Sequence, residues 1–192
     1  MLILMLGLLL FLGTHSVRIF ADGWRTRQIA RFGPTRWKGC YAGISAIGFI
    51  LLIWGYSLAR VEPVQLWLPP LWTRHVAAAL TLPALILIAA AYVPGTRMRA
   101  TIGHPMLAGV KLWALAHLLA NGTLADAALF GSFLAWAVAD FVVLRRRDRV
   151  AGVAAQPGTP LNDLIAASIG VAVWILISGY LHRVLFGVAT FA

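Results

Sequence analysis

The chain has 192 residues, 61% hydrophobic and 11% charged, with a mean hydropathy of +0.85. An ordinary soluble domain carries about 25% charged residues, so this composition excludes one and points to an integral membrane protein. The net charge of +10 does not point to nucleic acid, because the basic residues sit in short clusters between apolar runs, where they orient helices and face anionic headgroups.

A membrane helix needs about 20 mostly apolar residues. The pattern predicts such spans over 2–20, 39–59, 73–93, 104–121, 124–144 and 161–183. The first is read as a retained span rather than a signal peptide. It lacks a basic n-region and is followed by Arg18 instead of a small-residue cleavage site. Cys40, the single cysteine, rules out an intrachain disulfide and Cys-x-x-Cys metal or redox motifs. Gly39 and Gly43 form a GxxxG, for which local helix packing is the default reading. Turn chemistry separates the spans at Pro69-Pro70, Pro94-Gly95, Asn121-Gly122 and Gln156-Pro157-Gly158. Thr123 and Asp126 have capping-box spacing, with Asp in place of Glu. The fourth and fifth spans should therefore form a tight helical hairpin. Thr159-Pro160 reads as an N-cap followed by proline at the first helical position.

The expected fold is an all-α integral membrane protein, one domain over 1–192 built as a bundle of about six transmembrane helices. Arg18, Arg25, Arg27, Arg31, Arg36 and Lys38 lie in the first connection. Arg97 and Arg99 lie in the third, and Arg145, Arg146, Arg147 and Arg149 in the fifth. Basic residues thus favour alternate connections. The positive-inside rule then puts both termini outside, the periplasm for a protein of a bacterial inner membrane. Trp67, Trp72 and Tyr180 fit an outer aromatic belt; Trp24, Trp37 and Tyr92 fit an inner one.

Titratable groups within apolar spans are costly and mark sites. His15, His75, His104, Lys111 and His117 all fall in or at the ends of spans. At about 1.5 Å per residue, His75 and His117 come to similar levels near the outer face, and His15 and His104 lie closer to the inner one. His104 and His117 are 13 residues apart and point to nearly opposite sides of their helix. The His117 face also carries Val110 and Trp113, an apolar wall. Folding the hairpin about Gly122 brings His104 level with Asp140 and His117 level with Asp126. A carboxylate there could orient an imidazole for metal. Alternatively Asp126 caps its helix and Asp140 pairs with Arg145 or Arg146. Lys111 either snorkels to the headgroups or serves as counter-charge to a buried carboxylate such as a haem propionate. Histidines on different helices can hold haem b iron. Zinc wants four ligands, often thiolate or carboxylate, and the chain offers only Cys40 and Glu62. Depth prefers His75 with His117 as metal ligands, with His104, Lys111 and Trp113 beside the cofactor.

The block His104-Pro-Met-Leu-Ala-Gly-Val-Lys-Leu-Trp-Ala-Leu-Ala-His117, with Trp72-Thr-Arg-His75, Gly13-Thr-His15 and Gly131-Ser-Phe-Leu-Ala-Trp136, resembles the NnrU family over about residues 1–150. The last helix, 161–183, follows that core. The resemblance implies a multi-span inner-membrane protein linked to denitrification and nitrogen-oxide metabolism. A related branch is 15-cis-zeta-carotene isomerase, a haem b enzyme. Carried over by position, its ligands fall on His15 and His117. Ala114 stands where the isomerases have a cysteine. His104-Pro-Met-Leu-Ala-Gly is also similar to the Arg-His-Pro-x-Tyr-x-Gly of isoprenylcysteine methyltransferases, but Gly103 and Leu107 replace its arginine and tyrosine.

Three functions follow from the resemblance. The first is a haem b-binding membrane protein of nitrogen-oxide metabolism. The second is a haem-dependent isomerase acting on a hydrophobic small molecule such as a polyene. The third is a non-catalytic accessory factor for partner membrane proteins, a nitrite or nitric oxide reductase.

Overall fold

A computed structural model describes residues 1–188 and 190. Its regular elements are all helical: α1 (Leu2–Phe20), α2 (Asp22–Phe32), α3 (Pro34–Ala59), α4 (Trp72–Tyr92), α5 (Arg97–Ile102), α6 (Pro105–Ala120), α7 (Leu124–Val150), α8 (Pro160–Leu176), a π-helical turn (Ile177–Leu181) and α9 (His182–Phe186). Five segments are long and apolar enough to cross a membrane: α1, α3, α4, α7, and the continuous run Pro160–Phe186. These make the chain a multi-pass membrane protein in contact with lipid. The fourth expected span is α6, which has 16 residues and is therefore about 24 Å long.

Two boundaries differ from expectation. The first connection contains a helix, α2, with Asp22 in its first turn and Arg31 in its last, charges that suit the two ends of a helix dipole. Gly33, at φ +83°, ends it, and Pro34 opens α3 five residues before the expected start. The other difference is α7, which runs on through the arginine cluster to Val150. Arginine is a good helix former, so polar residues here extend the helix without breaking it.

The residues gather into two compact units, 1–66 with 123–132, and 67–122 with 133–192. In the first, α1 lies against α3. A Cβ on Gly7 would stand 2.6 Å from the Leu52 nitrogen, one on Gly48 2.7 Å from the Phe11 nitrogen, and one on Gly55 against the Leu4 backbone. Residue numbers fall on α3 as they rise on α1, so the pair is antiparallel. Leu4, Leu8, Leu12 and Leu52 are buried along this seam. Gly39 and Gly43 face open space instead. The first turn of α7 is tied to the chain leaving α3. The Leu124 N–H donates to the Val64 carbonyl at 2.8 Å. Thr123 and Asp126 form the expected capping box, the Asp126 N–H on Thr123 Oγ1 and the Thr123 N–H on Asp126 Oδ2. Tyr56 on α3 adds a hydroxyl donor to Oδ1 at 2.6 Å.

In the second unit α4 is central. Its alanines Ala78, Ala84, Ala89 and Ala90 are buried and let neighbours approach. Gly109 of α6 sits on the Ala84 carbonyl and Ile88, and Gly170 of α8 on Ile86. The Trp174 Nε1–H donates to the Ala78 carbonyl and to Thr81 Oγ1, both at 3.1 Å. As expected, Thr159 caps α8, its Oγ1 accepting from the Asn162 N–H.

Candidate functional site

Two histidines are held by the same local device. His15 on α1 has Nδ1 2.7 Å from the Phe11 carbonyl oxygen. His117 on α6 has Nδ1 2.8 Å from the Trp113 carbonyl oxygen. In both, the partner lies four residues back, one helical turn. A carbonyl only accepts, so Nδ1 carries the proton and the neutral ring keeps its lone pair on Nε2. Aromatic rings brace each imidazole. His15 lies 4.3 Å from Phe11 and 5.3 Å from Tyr41 between centroids. His117 lies 5.1 Å from Trp113, which itself meets Phe133 edge-on at 5.6 Å. The apolar wall expected beside His117 is thus Trp113 backed by α7.

The other three differ. His75 is exposed near the start of α4. His182 is half-buried, with Nδ1 2.8 Å from the Val188 carbonyl oxygen. His104 stands at the N-cap of α6, and its Nε2 is 2.8 Å from Asp148 Oδ2. The carboxylate that meets His104 is therefore Asp148 rather than the expected Asp140. The cause is the unexpected length of α7, which carries Asp148 past the predicted end of the span. Asp126 has both oxygens engaged within its own unit. Oδ1 accepts from Tyr56, and Oδ2 accepts from the Thr123 hydroxyl and N–H. The capping reading accounts for it.

Around His104 a second group assembles. The ring of Phe141 lies 6.2 Å edge-on from His104, and the Lys111 ammonium sits 3.6 Å from the same ring's centroid. Arg145, one turn beyond Phe141, passes over Gly103, where a Cβ would stand 2.9 Å from Nη1. Gly103 has φ +79°, a conformation glycine adopts without strain. Phe141, Arg145 and Asp148 share one face of α7 by spacing. That i, i+4, i+7 stripe was the signal available in the sequence, and it was hidden by ending the helix at 144.

The histidines thus separate by partner: His15, His117 and His182 meet a backbone carbonyl through Nδ1, and His104 meets a carboxylate through Nε2. Comparison with family models adds the decisive observation: the model described as NnrU protein matches residues 3–190, nearly the whole chain. The chain belongs to the NnrU family. No curated protein and no solved structure matches it.

Within this NnrU-family chain, the donor set bears on which metal group suits it. Among the described residues no three of His, Cys, Asp and Glu come together, whereas a structural zinc centre takes four ligands. Neutral imidazoles that present Nε2 are what haem b iron accepts. A backbone carbonyl on Nδ1–H fixes ring orientation and raises ligand basicity, and one is in place at His15 and at His117. The residues fit the group.

Proposed function

We propose that this NnrU-family protein binds haem b in the membrane, with His117 as the residue that would hold the iron, and acts in redox chemistry linked to nitrogen-oxide metabolism. The observation that carries the reading is the shared Nδ1–H donation to the carbonyl four residues back. Bound haem iron would supply one-electron chemistry and a place for a small oxide ligand. The chain's own residues have simpler tasks. Phe11 and Trp113 hold the two imidazoles by their carbonyls. Trp113 lies against the His117 ring, with Phe133 edge-on to Trp113. The link to nitrogen oxides comes from the family resemblance alone.

One observation favours His75 as the second ligand. Gly109 of α6 meets α4 at Ala84. A short connection returns α6 along α4 in the opposite direction. Counting eight residues from Gly109 to His117, and nine from Ala84 back to His75, carries both to the same end of the pair, about 12–14 Å from the crossing. Topology belongs to the same proposal: α6 as a sixth span, both termini outside, and the inner membrane of a bacterium as the location, all from the distribution of arginines.

The test is the absorption spectrum of the full chain, purified in detergent after expression with ample porphyrin supply. A Soret band is expected, lost in His117→Ala, lost or shifted in His15→Ala, and retained in His104→Ala. Loss in His75→Ala with retention in His15→Ala selects the alternative ligand. A colourless protein overturns the haem reading and leaves the accessory-factor function; a band unchanged in His117→Ala overturns the assignment of His117.

A further inference from the structure

The group built around Phe141 is independent of the His15 and His117 rings, and its electrostatics are unbalanced. Lys111 lies six residues inside α6, roughly 9 Å from its first residue, at a depth where an ammonium needs a partner. Its contact is the face of Phe141 at 3.6 Å, a cation–π interaction that holds a cation in place without neutralising it. Arg145 reaches back over Gly103 toward the head of α6, the positive end of that helix's dipole. Among the described residues, neither Lys111 nor Arg145 has a carboxylate within ion-pair distance. The carboxylate in the group, Asp148, faces His104. Two cations therefore lie on adjoining elements, Lys111 on the Phe141 ring and Arg145 over Gly103, while Asp148 is engaged by His104.

The same helices present exposed apolar side chains: Met106 on α6, Val138 and Val142 on α7. An anion bound here would have hydrocarbon next to it. From these observations we infer that Lys111 and Arg145 form a binding site for the phosphate of an anionic phospholipid, whose acyl chains lie along Met106, Val138 and Val142. Lys111 supplies the ammonium from within the span, and Phe141 orients it. Arg145 closes over the phosphate from the end of α7 with its guanidinium fork, the geometry that suits phosphate oxygens. The His104–Asp148 contact is a positioning element that pins the head of α6 to α7, so that the two cations keep their spacing.

The experiment is native mass spectrometry of the full chain released from mixed micelles containing equal phosphatidylglycerol and phosphatidylcholine. Wild type retains phosphatidylglycerol in preference. Lys111→Met and Arg145→Gln each lower its retention about fivefold, as expected for one basic residue at a membrane surface. Lys111→Arg restores it. Arg149→Gln, an exposed arginine one turn further along α7, leaves retention unchanged. The Soret band proposed above persists in Arg145→Gln, so this site and the haem reading fail separately. Equal retention of the two lipids overturns the proposal. So does a loss in Arg149→Gln as large as in Arg145→Gln, which would mean diffuse surface charge. Displacement of the lipid by millimolar inorganic phosphate would show that a soluble anion suffices, and overturns the lipid assignment.

Discussion

Tyr56→Phe removes one oxygen atom and leaves the ring in place, still edge-on to Phe130 at 6.3 Å. Its hydroxyl is the donor to Asp126 Oδ1, at 2.6 Å. Asp126 is 5% exposed, so water cannot readily replace the lost donor. A hydrogen bond to an ionised group is worth about 1.5–3 kcal/mol, and the unmade partner must also bear its desolvation. Oδ2 keeps both donors from Thr123, which keeps the loss near the middle of that range. The expected cost is about 2 kcal/mol, roughly a thirtyfold drop in the folded-to-unfolded ratio. Equilibrium unfolding in mixed detergent micelles, followed by far-ultraviolet circular dichroism, reads it directly. A double-mutant cycle isolates the pair: in an Asp126→Ala background the Tyr56→Phe cost should vanish, because the acceptor is gone. If Tyr56→Phe costs less than about 0.5 kcal/mol, or costs the same with Asp126 absent, the buried-carboxylate clamp between α3 and α7 is refuted.

Two further predictions concern packing. Gly55→Ala places a methyl group against the Leu4 and Ile3 backbone, and overpacking of a rigid helix contact should cost about 1–3 kcal/mol. Gly39→Ala meets open space and should be neutral or stabilising by about 0.5–1 kcal/mol through helix propensity; the same unfolding titration compares them, and an equal response would contradict the seam. Trp174→Phe deletes an indole N–H shared by the Ala78 carbonyl and Thr81 Oγ1. It should destabilise by about 1 kcal/mol, read by the same unfolding titration, whereas an undiminished stability would show that the indole N–H does not hold α8 to α4.

The helices were legible because hydrocarbon demands long apolar runs and turn residues punctuate them. Predicted spans over 2–20, 73–93 and 161–183 agree with α1, α4 and the run through α8 and α9 within a few residues. The capping box at Thr123 and the cap at Thr159 were readable because each needs only residues three apart. What escaped was polar helix. Asp22–Phe32 has no apolar run, and its helicity follows from end charges and the flanking Gly33 and Pro34. The arginine-rich end of α7 was cut short for the same reason, since hydropathy marks where lipid ends and not where a helix ends. The seam between α1 and α3 was also hidden. GxxxG singled out Gly39 and Gly43, whereas the close approach uses Gly48 and Gly55, seven residues apart.

That error at the end of α7 governs how the site was read. With the helix stopped at 144, Asp140 is the last carboxylate available to His104, although Phe141 already lies within the expected span. Two more turns of helix bring Asp148 to His104, and with Phe141 beneath Lys111 they convert an isolated set of polar residues into one contiguous face. The separation between His117 and His104, by contrast, needed only helical phase. Thirteen residues place them on opposite sides, and they do meet different surroundings: a backbone carbonyl for one, a carboxylate for the other. Imidazole tautomer follows from that difference. A ring bound through Nδ1 to a carbonyl must present Nε2 as a base. One bound through Nε2 to a carboxylate has that nitrogen engaged by the carboxylate oxygen. The chemistry of these histidines is therefore set by the partner of the inward nitrogen, which no spacing in the sequence specifies and which the backbone of the helix supplies at His15 and His117.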